Sequence, residues 1–309
     1  MLSFAEEILD AQDSLTLNVI SSLAIFPLKN PYYYHRINKM VINMVKLGNK
    51  EVSSIGLGTY GMGGKNTADY KNDVKEIEAI KYAITNGINL IDTAEYYGHG
   101  HSEELVGKAI KDFEREDLFI ISKVWPVNLH YNDLINSAKE SLKRLDTDYI
   151  DLYLIHWPNP KIPVKESLDA MGELLDNHLI GNIGVSNFDI ANLTEAIDQI
   201  KPGKIIANEV EYNPGNYFIE DDLIPFCDKN NIKIIGYSPL NQGKISSKIA
   251  PVAKSLGMSS IQCTLGYLKK KSIPIPKASS ISHINELVAC MNSDLDENEY
   301  NKIKGAIRR

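Results

Sequence analysis

The chain has 309 residues, 43% of them apolar and 24% charged, the proportions of an ordinary globular protein. A formal charge of −7 at pH 7 argues against non-specific binding to nucleic acid. No apolar run reaches the ~18 residues a membrane helix needs, and Cys227, Cys263 and Cys290 form neither a CxxC pair nor an even disulfide set, so a cytoplasmic location is expected.

Residues 1–40 carry no periodic pattern. They are expected to form an extension outside the folded domain, disordered or arising from an upstream start, with Met40 or Met44 as the alternative first residue. The longest apolar stretch there, Leu15 to Leu28, is broken by Thr16, Asn18, Ser21, Ser22 and Pro27, and at most forms a surface helix. It follows the acidic segment Ala5-Glu-Glu-Ile-Leu-Asp10, where a signal peptide requires a basic one. The folded domain is expected over 41–309.

Residues 45–54 read as a hairpin turning at Gly48-Asn49. Beyond it, short apolar runs alternate with amphipathic stretches. Candidate strands are Ile55–Gly58, Ile88–Ile91, Leu118–Ser122, Tyr149–Ile155, Asn182–Ser186, Lys204–Asn208, Ile232–Gly236 and Ile273–Ile275. Most recur at ~30 residues, the length of one βα unit. The helix predicted over 131–145 places Leu134, Ile135, Ala138, Leu142 and Leu145 on one face, and that over 75–86 does the same with Ile77, Ile80, Ala83 and Ile84 before Gly87. Two more helices fit near 245–256 and 259–271. Runs such as Ile150-Asp-Leu-Tyr-Leu-Ile155 have the continuity of parallel strands buried on both faces. Eight such units with no break in composition predict a closed (β/α)8 TIM barrel, with the hairpin capping its bottom.

Barrel enzymes do their chemistry at the C-terminal ends of the strands. Those ends carry Asp92 with Tyr96 and Tyr97 shortly after, Lys123, and His156. Reducing a carbonyl needs a hydride for carbon and a proton for oxygen. A tyrosine is a poor acid near neutrality unless its phenolate is stabilised. A lysine cation beside it lowers its pKa, a carboxylate keeps the lysine charged, and a neutral histidine can orient the carbonyl. Singly, each residue has a plain reading: either tyrosine fits a core, His156 fits a structural role, and Lys123 fits a Schiff-base nucleophile. His99, His101 and Glu103 resemble a metal cluster but fall inside the same loop, and no metal is expected.

As a set these segments resemble the aldo-keto reductase family, over about residues 45 to 300. Asp92-Thr-Ala-Glu-Tyr-Tyr97-Gly with Ser102-Glu103, Ile121-Ser-Lys123, and Asp151-Leu-Tyr-Leu-Ile-His156-Trp-Pro158 match its motifs in order. The resemblance implies a catalytic set of Asp92, Tyr97, Lys123 and His156, a small-molecule carbonyl substrate, and NADP as the preferred cofactor with NAD possible. It also implies that Ser186 and Asn187 bind the nicotinamide carboxamide together with Glu209, and that Tyr237, followed by Ser238, Pro239 and Leu240, stacks on the ring. Lys277, in Ile275-Pro-Lys-Ala278-Ser279-Ser280, would reach the 2′-phosphate.

Four positions depart from the family pattern, one of them Leu287 in place of an asparagine. Glu209 replaces a glutamine and, ionised, accepts from the carboxamide without donating. Ala278 replaces a serine. His283 stands where the family has an arginine, which predicts a weaker preference for NADPH over NADH. The segment Gly56-Leu-Gly58-Thr59-Tyr60-Gly61 satisfies GxGxxG, yet runs into a loop instead of opening a helix, so it is no Rossmann fingerprint. The backbone of Gly58, Thr59 and Tyr60 is still expected to approach the cofactor. The residues after Tyr300 are few, which predicts an open pocket. Two rival readings are a redox-sensing regulatory subunit and a Schiff-base aldolase using Lys123.

Overall fold

The structure, a computed structural model, describes residues 43–200, 203–244 and 247–308. The expectations for residues 1–40 lie outside them. Strands β1 (Met44–Leu47) and β2 (Lys50–Ser53) pair antiparallel, with Leu47 opposite Lys50. Gly48, first in the two-residue turn, has φ +61, which costs a glycine little.

Eight parallel strands follow: β3 (Leu57–Gly58), β4 (Leu90–Asp92), β5 (Phe119–Val124), β6 (Leu152–Ile155), β7 (Ile183–Ser186), β8 (Ile205–Glu211), β9 (Lys233–Tyr237) and β10 (Ile273–Pro274). Each pairs with the next in sequence order. Hydrogen bonds from Gly56 N to Pro274 O (3.0 Å) and from Gly58 N to Pro276 O (3.1 Å) join the first strand segment to the last, and the sheet closes into a (β/α)8 barrel. The seam is tight. A Cβ on residue 58 would sit 2.6 Å from the Ile275 carbonyl oxygen, so this position requires glycine.

The eight predicted strands all form, although several are shorter than the apolar runs that announce them. The run over Tyr149–Ile155 pairs as a strand only from Leu152, with Ile150 making an isolated bridge to Ile180. Ile55, Ile88, Ile150 and Ile232 are fully or nearly buried although they lie outside the strands. Hydropathy reports burial, which extends past the hydrogen-bonded ladder. Helices span Asp73–Thr85, with Gly87 at φ +94 just beyond, and Tyr131–Leu145, stopped by Asp146 at φ +50. Two more, Ile249–Leu256 and Ser260–Leu268, fill the predicted space before β10.

Side chains on a strand alternate between faces, and the core divides accordingly. Leu90, Phe119, Ile121, Leu152, Leu154, Ala207, Ile235, Ile273 and Ile275 fill the barrel interior. Their neighbours Ile91, Ile120, Tyr153 and Ile155 pack outward under the helices. Leu47 and Val52 of the hairpin belong to the interior cluster and plug its N-terminal end. Below them Lys50 Nζ meets Asp151 Oδ1 at 2.7 Å, while Arg115 Nη2 and Ile120 N hold Asp151 Oδ2 at 2.7 and 2.9 Å. Among the described residues no helix is long and apolar enough to cross a membrane.

Candidate active site

The inward alternation predicts what faces the open end. Continuing each interior series by two residues leads from Leu90 to Asp92, from Ile121 to Lys123, from Leu154 to His156, from Ala207 to Glu209, from Ile235 to Tyr237 and from Ile275 to Lys277. Apolar residues fill the closed layers, and in these six series the next inward position is polar. Tyr97 comes from a different element. It opens a tight turn (Tyr97–Gly100) in which Gly98 has φ +57. That turn is pinned by a 2.7 Å bond from Gly98 N to Lys65 O, and a Cβ at 98 would lie 2.4 Å from Gly63 O.

Lys123 is the hub. Its Nζ donates to Asp92 Oδ1 in a very short contact, to Thr93 O at 3.0 Å and to the Tyr97 hydroxyl at 3.1 Å. The Tyr97 ring stands edge-on to His156, with centroids 5.7 Å apart. Tyr96 is elsewhere, stacked flat on Trp125 at 3.8 Å. Of the two tyrosines left open by spacing, Tyr97 alone touches the lysine.

Burial sets the protonation states. Lys123 is fully enclosed, which by itself would lower its pKa, but Asp92, Glu209 and Tyr97 around it raise it overall, so it is an ammonium. Burial raises the Tyr97 pKa and outweighs the lowering by Lys123 that the sequence predicts, so the resting side chain is a neutral phenol. His156 is pushed down to about 2 by burial and then by Lys123, leaving a neutral imidazole. Its Nδ1 is enclosed with no partner.

The nicotinamide-binding candidates lie beside this set. Asn187, at φ +61, donates from Nδ2 to His156 O (3.1 Å) and Ser186 Oγ (3.0 Å) and accepts from the Tyr237 hydroxyl (2.9 Å). Ser186 Oγ donates to Glu209 O at 2.9 Å. Ser238 also has a positive φ, and buried Pro239 and half-buried Leu240 follow it. Thr59 turns inward, with its hydroxyl on Asp92 O at 2.9 Å, and Tyr60 is exposed with its ring 5.1 Å from Tyr97. Gly58 is buried at the seam.

The phosphate candidates lie just past the last strand. Lys277 Nζ bonds Gly61 O at 3.1 Å, and Ala278 is buried beneath it. Half-buried Ser279 leads into Ser280, which caps the helix Ile281–Met291, and exposed His283 stands in that helix's first turn. A Cβ at Gly61 would touch both Lys277 Nζ (3.5 Å) and Lys65 Cε (3.9 Å). Two cationic side chains thus flank a bare glycine, a cradle whose donor set fits an anion.

Sequence reasoning missed Lys65, although it closes the glycine-rich loop in which it was visible. It also missed Trp125, whose ring lies edge-on to His156 at 5.1 Å, and Trp157, which is partly exposed. The ring nitrogens of His101 go to Asp73 (2.9 Å) and Glu104 (2.8 Å), and Glu103 goes to Ser122 and Arg144. Among the described residues no cluster of His, Cys, Asp and Glu is arranged to hold a metal. The three cysteines are buried and free.

Residues 54–251 match the model of the aldo/keto reductase family. Methylglyoxal reductase YeaE of Escherichia coli is 33% identical over 261 residues, covering 82% of this chain and 90% of its own. A thermostable aldo-keto reductase, solved in complex with the inhibitor epalrestat, superposes with a TM-score of 0.82 at 45% identity, over 86% of this chain and all of that one. The aldo/keto reductase from Klebsiella pneumoniae, solved in complex with NADP and acetate, gives 0.79 at 31% identity, over 86% and 95%.

Proposed function

Because the chain belongs to the aldo/keto reductase family, we propose that it is an NADPH-dependent oxidoreductase that reduces aldehydes and ketones to alcohols, reversibly, with Tyr97 as proton donor. The observation that carries this reading is the Lys123 ammonium, bonded at once to the Tyr97 hydroxyl and to Asp92 in a buried site.

A nicotinamide, when bound, supplies the hydride. The protein's own residues manage the oxygen. Tyr97 gives its proton as negative charge builds on the carbonyl oxygen, and Lys123 stabilises the phenolate left behind. Asp92 holds Lys123 in place and charged. An orphaned acceptor costs less than an orphaned N–H, so the single ring proton of His156 is assigned to Nε2, which orients the carbonyl oxygen, and Nδ1 stays bare. Ser186, Asn187, Glu209 and Tyr237 would hold the nicotinamide end, with Ser238, Pro239 and Leu240 shaping its bed and the backbone of Gly58, Thr59 and Tyr60 closing over it. Lys277, Ala278, Ser279 and His283 would meet the 2′-phosphate at a helix N-terminus, with Lys65 as a second cation. The solved Klebsiella relative in complex with NADP supports that choice of cofactor.

The Schiff-base reading requires Lys123 to lose its proton, and its surroundings act in the opposite sense. The test is nicotinamide absorbance with NADPH and NADH over aldehydes, ketones and sugars. Methylglyoxal comes first, because a relative is named for it. Turnover that vanishes in Tyr97→Phe supports the proposal. Tight NADPH binding with no turnover of any carbonyl would instead favour the redox-sensing subunit.

A further inference from the structure

Donor accounting around Lys123 leaves one carboxyl group unprovided for. An ammonium has three N–H groups, and Asp92 Oδ1, Thr93 O and the Tyr97 hydroxyl take all three. Glu209, 1% exposed, lies with Oε1 3.4 Å from Lys123 Nζ, and its Oε2 is enclosed with no partner. A carboxylate in that position would be a buried charge held only by the 3.4 Å contact to Lys123, with no donor for Oε2. Asp92 and Glu209 both contact Lys123 Nζ, and two carboxyl groups facing one cation are better served by one proton between them.

We propose that Glu209 is held in the folded protein as a neutral carboxylic acid sharing its proton with Asp92, and that this uncharged state leaves the Lys123 ammonium free to stabilise the charge developing on Tyr97. Burial, and then Asp92, push the Glu209 carboxyl well above the usual carboxylate range, which agrees with the geometry. The groups facing Glu209 are Asp92 from β4, Tyr97 from the turn after it, Lys123 from β5 and Tyr237 from β9. With the proton present, one positive charge opposes one negative. Without it, a second negative charge acts on Tyr97 and holds the phenol's proton more tightly. Glu209 is therefore a positioning residue, acting through Lys123. Its proton is assigned independently of any activity, whereas its consequence for turnover rests on reduction by Tyr97.

The test is thermal unfolding of the cofactor-free protein and of Glu209→Gln between pH 4 and 8. The unfolded chain releases this proton above about pH 4.3. A folded chain that keeps it loses stability as pH rises from there towards the raised folded value. The glutamine escapes that loss. The difference in melting temperature should therefore shift in favour of Glu209→Gln as pH rises. The slope is what counts, because a packing defect offsets the curves without tilting them. A constant difference, or one growing in favour of the wild type, overturns the assignment.

The kinetic arm compares pH profiles of carbonyl reduction, each normalised to its own plateau. The wild type should show an extra alkaline fall of roughly tenfold that Glu209→Gln lacks. Superimposable profiles overturn the link to Tyr97. If neither protein reduces any carbonyl, the reductase reading fails while the melting slope still decides where the proton lies.

Discussion

A phenol enclosed by protein gives up its proton only if something beside it holds the charge left behind, and Lys123 is 3.1 Å from Tyr97. Tyr97→Phe keeps the ring and removes the proton. It should lower kcat by about 10²–10⁴-fold while NADPH affinity, measured by fluorescence titration, changes little. Tyr96→Phe retains the stack on Trp125 and should cost far less. A larger loss in Tyr96→Phe would reverse the assignment. His156 carries a pH signature of its own. Its folded pKa, about 2, is depressed below the unfolded value near 6.5, so the unfolded chain binds the extra proton and stability is lost as pH falls below about 6.5. His156→Gln should therefore lose less melting temperature than the wild type between pH 6.5 and 4. His283→Arg should add one charged hydrogen bond to the 2′-phosphate and raise the preference for NADPH over NADH by roughly ten- to a hundredfold in kcat/KM.

At the scale of elements, the strand alternation was the legible part. Phe119 and Ile121 point in, Ile120 points out, and the same parity carried forward lands on Lys123. That is why a motif read at strand ends leads to side chains that the fold brings together. Strand lengths were less legible, since Ile55 and Ile150 are buried without joining the ladder. Long-range meetings outside that strand-end set were not legible. Nothing local in the sequence says that Glu209 lies against Lys123, or that Lys65 and Lys277 flank one glycine, because closure of the barrel brings them together. The net direction of the Tyr97 shift was not legible for a related reason: sequence names the charged neighbour that lowers the pKa, whereas the burial that outweighs it is a property of the whole fold. The seam yields its own prediction. Gly58→Ala sets a methyl against the Ile275 carbonyl and should destabilise the protein by about 1–3 kcal/mol in denaturant titrations.

Considered whole, the barrel has one open end and one stopped end, and Asp151 fastens the stopper. It is 3% exposed, and Lys50 of the hairpin, Arg115 and the Ile120 amide converge on it. Asp151→Asn removes the charge those groups share and should cost about 1.5–3 kcal/mol of stability. Because the candidate site lies at the far end of the strands, the kinetic constants for the proposed carbonyl reduction at 25 °C should change much less than the melting temperature. A comparable loss in kcat would mean that the plug also shapes the active end.

The seam between Gly56–Gly58 and Pro274–Pro276 also bears on how the molecule is assembled. Every other pair in the sheet joins neighbours in the chain, one βα unit apart, whereas this pair joins the first barrel segment to the last. Bringing them together demands the greatest loss of chain freedom and rewards it with only a few hydrogen bonds until the rest is in place. Closure therefore belongs late on the folding route, after the transition state. A defect confined to the seam should then leave the refolding limb of a chevron almost unmoved and appear as faster unfolding. The lifetime of the native ring, more than its rate of formation, is what Gly58 protects.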